Sequence, residues 1–347
     1  MKKIKILLIT LSLLIIPVLF INATKVKRNS PIETFEYFWT LFDTHYGLFE
    51  AKKIDWAEIH TRFRSQITES STDEDLYKVL TAMIVELNDN HVTLYPTTGT
   101  LPAFPGGVLR YTNGKLTIDK AQDDYDLAVV KNYVKDLKEV TGSIRYGHLS
   151  ERVGYINIGS HTDSKKTVEK VMDQILKELS NTNSIVVDVR GDYGGHDAIA
   201  QYMAGNFTTV SKPYMTTRKK SGPGHGDFTP PVQWYAEPRG HFAYTKPIIL
   251  LTSRFTQSAG ETFTLAMKAI DHVKVMGDTT AGGYSDNPTM ELPNGWMVSL
   301  SIGDYRAADG ESYEGIGTSP DVYGRTSREE LLAGKDSLLE KALESAK

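Results

Sequence analysis

Ser258 stands where an apolar run gives way to a helical pattern. Pro247-Ile-Ile-Leu-Leu-Thr252 is short and continuously apolar, as a buried strand is. Beyond Ser258, residues Phe263, Ala266, Met267 and Ile270 recur three to four apart, the spacing of one helix face. A hydroxyl at a strand-loop-helix junction meets unpaired backbone N–H groups and the positive end of a helix dipole. Those are the surroundings that a nucleophile and its oxyanion need. Ser258-x-x-Glu261 also has the spacing of a capping box, which requires no chemistry, and the stretch alone leaves both readings open. His91 falls on a helix-to-strand corner after Asn88-Asp-Asn90, where a histidine is either a general base or a solvated loop residue. Gly191-Asp-Tyr-Gly-Gly195, between a buried strand and a helix, is an anion-binding turn or simply a tight one. It has neither the Gly-Lys-Ser/Thr ending of a phosphate loop nor Gly-x-Gly-x-x-Gly spacing. A Gly/Pro loop, Glu314-Gly-Ile-Gly-Thr-Ser-Pro-Asp321, supplies two carboxylates.

The elements around these residues follow from pattern. Residues 32–90 read as helices, with Phe35, Phe38, Trp39 and Phe42 at helical spacing and Asp55 as a cap. Residues 96–152 are mixed and include a hairpin around Asn113-Gly114. From residue 153 strands and helices alternate: Val153–Ile158, a helix over 167–179, Ser184–Arg190, a helix over 197–203, and a strand at Val273–Gly277. Residues 212–246 are a polar excursion that forms a surface loop or hairpin. A second Asn-Gly hairpin turns at Asn294-Gly295, and a helix over 337–346 closes the chain. The expected organisation is a segment 1–24, a helical subdomain 30–95, a β-rich connection 96–152 and an α/β domain 153–347.

The 347 residues carry a net charge of -4, so the basic surface of a nucleic-acid binder is not expected. With no cysteine there is no disulfide, thiolate nucleophile or thiolate metal site. His45, His60, His148, His161, His196, His225, His241 and His272 show no paired ligand spacing, so neither metal nor cofactor is expected. His196 adjoins the glycine turn. Met1-Lys-Lys-Ile-Lys5 followed by an apolar run to Ala23 reads as a secretory signal or signal anchor. Export to the periplasm or cell envelope is expected, with anchoring through residues 6–23 as one form of it.

Taken in order, Leu87-Asn-Asp-Asn-His91, Val186-Val-Asp-Val-Arg-Gly-Asp-Tyr-Gly-Gly195, Thr256-Gln-Ser-Ala-Gly-Glu261, Val275-Met-Gly-Asp-Thr-Thr-Ala-Gly282, Leu292-Pro-Asn-Gly295 and Glu314 to Asp321 resemble the serine peptidases that include the tail-specific (C-terminal-processing) proteases and the tricorn core. The resemblance runs from about residue 33 to the end. It implies an α/β fold with a catalytic core like that of crotonase and Clp protease behind an N-terminal helical subdomain. The tail-specific branch carries its lysine base where this chain has Gly283. The tricorn-like branch uses a histidine and a glutamate, which match His91 and Glu314. Asn90 stands where the tricorn core has a serine. Residues 96–152 are too few for a complete PDZ domain. The resemblance implies Ser258 as nucleophile, His91 as base, Glu314 as its carboxylate, the N–H groups of Ala259 and Gly194 as oxyanion donors, and Asn90 in support. The expected activity is hydrolysis of proteins or peptides by a serine peptidase. The alternative is a non-catalytic binding module on the same scaffold.

Overall fold

The computed structural model describes residues 30–347 apart from 98, 108, 113–114 and 119–124. The expected export segment lies outside the described residues. Four helices come first: α1 (Pro31–His45), α2 (Phe49–Lys52), α3 (Trp56–Arg64) and α4 (Asp73–Leu87). Their starts are encoded locally. Ser30 and Thr72 close capping boxes with Glu33 and Asp75, and Asp55 accepts the Glu58 N–H. Their apolar faces bury Phe35, Phe38, Phe42, Trp56, Leu80 and Met83 in one core. Asn88 ends α4 in the left-handed region at φ 45°, which asparagine tolerates, and turns the chain toward the second half of the molecule.

That core is completed from far along the sequence. Strand β1 (Thr93–Tyr95) pairs antiparallel with β2 (Phe104–Pro105) and, on its other edge, with Met297–Val298. Leu292, Trp296, Val298 and Leu300 pack among the N-terminal helices. The next strands, β3 (Leu109–Thr112) and β4 (Lys115–Ile118), form the expected hairpin, although its Asn113-Gly114 turn is outside the described residues.

After α5 (Leu127–Tyr133) the chain builds a seven-stranded sheet from β5 (Lys138–Glu139), β6 (Ile144–Ser150), β7 (Val153–Ile158), β8 (Ser184–Asp188), β11 (Ile248–Thr252), β12 (Val273–Gly277) and β16 (Val322–Tyr323). The order is β16-β12-β11-β8-β7-β6-β5, parallel from β16 to β7 and antiparallel beyond. The sheet therefore begins before residue 153. Every residue of β7, β8 and β11 is buried, which explains their unbroken apolar sequences: both faces of the sheet are covered. The covering helices include α6 (Lys165–Glu178), α7 (Asp197–Ala204), α8 (Ala259–Lys268) and, after a short α9 (Arg328–Leu332), the C-terminal α10 (Ser337–Ser345). The polar excursion is a hairpin of β9 (Lys212–Lys219) and β10 (Val232–Ala236). β13 (Thr289–Glu291) and β14 (Met297–Ser299) form the returning hairpin, and β15 (Gly303–Ala307) extends the β9–β10 pair on the β9 side.

Loops at the carboxyl ends of β8, β11 and β12 carry the glycine turn, Ser258 and the Thr279–Gly283 loop. Ligand sites of open parallel sheets lie at such strand ends. Arg190 fixes this edge from below. Its guanidinium is buried between Asp188 (2.7 Å) and Asp336 (2.9 Å), and Asp336 also caps α10. Asp321 anchors its loop by accepting the Val275 N–H at 2.8 Å. Among the described residues no helix is long and apolar enough to cross a membrane.

Candidate active site

Ser258 enters α8 with φ 56° and ψ −125°, a region that L-residues rarely adopt. Its N–H donates to the Gly283 carbonyl at 2.9 Å, and its carbonyl accepts from Glu261 (2.8 Å) and Thr262 (3.2 Å). Its hydroxyl makes no cap bond, so the capping-box reading fails. Glu261 instead turns inward and accepts from Thr280 Oγ1 (2.5 Å), Gly282 N–H (2.8 Å) and Gly283 N–H (2.7 Å). Burial pushes this carboxyl up to about 7 against the pull of those donors. Glu261 thus pins the glycine loop that holds the Ser258 N–H.

The glycine turn closes on the other side. A Cβ on Gly194 would lie 2.5 Å from Ser258 Cβ and 3.1 Å from its Oγ, so only glycine fits; its φ of 100° makes the same demand. Ala259 is the first residue of α8, where an N–H has no intrahelical acceptor. The Gly194 N–H, by contrast, donates to Asp192 Oδ1 at 2.9 Å. His196 is exposed at the α7 N-cap and makes no side-chain cap bond.

The His91 corner approaches through Asn90. A Cβ on Gly283 would sit 1.9 Å from Asn90 Oδ1, so the asparagine amide occupies the volume a side chain at 283 would need. His91 is buried, its N–H donates to Asp89 Oδ1 at 2.9 Å, and its carbonyl accepts from Ser299 Oγ at 2.8 Å. Burial lowers the imidazole pKa below the ordinary value, opposed by the Asp89 charge. Asp89 also accepts the Tyr46 hydroxyl at 2.8 Å and lies 3.8 Å from Lys52 Nζ. Burial would raise its carboxyl, but Lys52, His91 and these bonds outweigh it and hold the pKa low. Glu314 Oε1 accepts the N–H groups of Tyr284 (3.1 Å) and Ser285 (2.7 Å). Burial, followed by the Asp89 charge, pushes Glu314 up to about 8. Two neighbouring carboxyls are thereby driven apart, Asp89 ionised and Glu314 protonated at neutral pH.

His91 Nδ1 and Glu314 Oε2 are both buried without a hydrogen-bond partner. Among the described residues no hydrogen bond joins Ser258 to His91 or His91 to Glu314. Sequence reasoning missed two groups. Asp89 is the foremost charge acting on His91, and its signal was its place in Asn88-Asp-Asn-His91. Glu261 was visible only as a capping residue. Among the described residues no cluster of three or more histidine or carboxylate side chains fit to hold a metal is present.

A strained serine at a helix start is bracketed by two glycine segments at the carboxyl end of a parallel sheet. The Peptidase family S41 model matches residues 152–323, and the Tricorn protease C1 domain model matches residues 28–85. Over these two segments the chain is similar to peptidase family S41 and to the tricorn C1 domain. It is 26% identical over 172 residues to the carboxy-terminal processing protease CtpB of Bacillus subtilis, covering 49% of this chain and 33% of that one. Against CtpA of the same organism the figures are 28% over 171 residues, 49% and 34%. The chain thus spans about a third of the length of these curated relatives. A solved putative peptidase from Parabacteroides merdae superposes with a TM-score of 0.79 at 26% identity, over 92% of this chain and 97% of that one. The tricorn protease structure shares the fold at a TM-score of 0.55 and 15% identity, over 91% of this chain and 36% of that one.

Proposed function

We propose that the chain is an exported serine peptidase that cleaves peptide bonds of proteins or peptides through an acyl-enzyme on Ser258. The observation that carries this reading is the convergence on Ser258: Gly194 against its side chain, Gly283 on its N–H, and Asn90 against Gly283. A serine hydroxyl needs a base at neutral pH, and the buried His91 imidazole, held neutral by its surroundings, is suited to take the proton and return it to the leaving amine. Ala259 N–H and the glycine turn at Gly194 flank the position of the tetrahedral oxyanion, where one donor contributes roughly 3–4 kcal/mol. Asn90 supports the corner sterically. The sequence of residues 1–24 is the support for export, and the family likeness is the support for a protein or peptide substrate.

Glu314 acts as the carboxylate on the second ring nitrogen of His91, and its protonation matters. A protonated carboxyl would donate to that nitrogen and leave the ring hydrogen on the other one, the wrong tautomer for deprotonating Ser258. Ionised Glu314 fixes the right tautomer and stabilises the imidazolium. The test is fluorophosphonate labelling. Ser258→Ala must abolish it and His91→Ala must strongly reduce it. Persistence of full labelling without His91 removes it as the base, and a wild type that is never labelled but binds peptide reversibly identifies a binding module instead.

A further inference from the structure

Beneath the glycine turn lies a histidine–carboxylate pair that the catalytic scheme does not use. His161 Nε2 and Asp192 Oδ2 are 2.9 Å apart, with both side chains fully buried. Neither atom makes an aligned hydrogen bond, so the contact is one of close placement rather than a directed bond. Placing such a pair in an apolar interior costs more than filling the space with hydrocarbon, which makes stability a poor reason for its presence.

The pair touches three chain segments that meet at the site. Asp192 Oδ1 accepts the Gly194 N–H at 2.9 Å, and the Asp192 carbonyl accepts the Gln257 N–H at 3.1 Å. A Cβ on Gly260 would lie 2.9 Å from the Asp192 carboxyl carbon, so the carboxylate rests on the first turn of α8. The backbone of His161 is bonded to the turn on both sides, giving its N–H to Gly194 (2.8 Å) and accepting from His196 (3.0 Å). Its ring packs 5.3 Å from Phe263 of α8. The gap between the glycine turn and the start of α8 is where an oxyanion on Ser258 would stand, and this pair spans it from below.

We propose that Asp192 and His161 are positioning residues for the oxyanion hole, a role that rests on the peptidase reading of Ser258. Asp192 decides which amide edge of the turn faces Ser258 by claiming the Gly194 N–H, and His161 holds the carboxylate in place. The turn serves the oxyanion either by releasing that donor or by presenting the next amide, Gly195. In both cases the acceptor on Asp192 sets the geometry. Neither residue reaches the reacting atoms.

The experiment measures fluorophosphonate inactivation of the wild type, Asp192→Ala, Asp192→Asn and His161→Gln, separating the maximal rate from the half-saturating concentration. Asp192→Ala is expected to lower the maximal rate about 10²–10³-fold, as for loss of one oxyanion donor, at an unchanged half-saturating concentration. Asp192→Asn keeps an acceptor for Gly194 and is expected to retain the rate within about tenfold of wild type, with His161→Gln between the two. Amide exchange at Gly194 is expected to speed up in Asp192→Ala alone. A folded Asp192→Ala with wild-type rate overturns the proposal, as does an Asn variant as slow as the Ala variant. If Asp192→Ala does not fold, Asp192→Asn and His161→Gln carry the test, and equal losses in rate and saturation in both overturn it. A wild type that is never labelled sinks the peptidase reading and this proposal together, a pattern distinct from every other outcome.

Discussion

Replacing Gly283 with alanine tests the packing that joins the His91 corner to Ser258. The residue is absent from the positive-φ positions, so its backbone accepts a side chain and only the neighbour objects. The new Cβ would lie 1.9 Å from Asn90 Oδ1, 2.8 Å from its Cγ and 3.0 Å from its Nδ2, where ordinary contact begins at 3.4 Å. The loop cannot easily retreat, because Gly283 donates to Glu261 at 2.7 Å and accepts from Ser258 at 2.9 Å. Asn90 must move, and overpacking of this kind costs about 1–3 kcal/mol. Removing the amide should relieve it. Asn90 Oδ1 is buried without a partner, so Asn90→Ala by itself sacrifices no hydrogen bond at that atom. The four proteins of the cycle, unfolded in urea and compared by linear extrapolation, should show a coupling of about 1–3 kcal/mol, with Gly283→Ala destabilised only while Asn90 is present. Equal penalties in both backgrounds, or none in either, would refute the steric account of why glycine replaces a longer side chain here.

Turnover should rise with pH in two steps. The first belongs to His91 and lies below the ordinary histidine value of about 6.5, since burial favours the neutral ring. The second lies near 8, where Glu314 ionises, and should vanish in Glu314→Gln. Folding follows the opposite sense for Glu314. A carboxyl raised to about 8 favours the folded state while protonated, and that contribution is lost as pH rises from its unfolded value toward 8. Glu314→Gln should therefore gain stability relative to wild type at alkaline pH, read from urea midpoints. Ser258→Gly should be more stable than Ser258→Ala by about 1 kcal/mol, because only glycine relaxes at φ 56°, while both lose labelling. Equal thermal midpoints would deny the strain. Asp336→Ala should cost about 3–5 kcal/mol by leaving buried Arg190 short of a partner. An unchanged urea midpoint would show the network to be dispensable.

Much of the scaffold was legible because the physics was local. Continuous apolar runs marked β8 and β11, whose faces are both buried, and caps marked α1, α3 and α4. The junction at Ser258 was legible for the same reason. Its backbone strain was not, since a serine, unlike glycine or asparagine, does not advertise a positive-φ position. Ser258-x-x-Glu261 misled because spacing cannot say which way a carboxylate turns, and Glu261 has three donors waiting in a loop some twenty residues on. Asn90 against Gly283 joins residues nearly two hundred apart, beyond the reach of any local rule. The Gly194 N–H was expected to be free. Asp192, two residues before it, captures it through the short loop that an aspartate commonly makes with the second N–H ahead.

The hairpin that returns to the helical core has a consequence for timing. Thr93 donates to Ser299 Oγ at 2.9 Å, and the His91 carbonyl accepts from that same hydroxyl at 2.8 Å. The separation is 208 residues for the second bond. At ~5–20 residues per second of synthesis, about 10–40 s pass between the emergence of the histidine and the arrival of the strand that seats it. Through that interval the His91 corner lacks the Ser299 hydroxyl that holds its carbonyl. The His91 corner is thus completed only once residue 299 has been made.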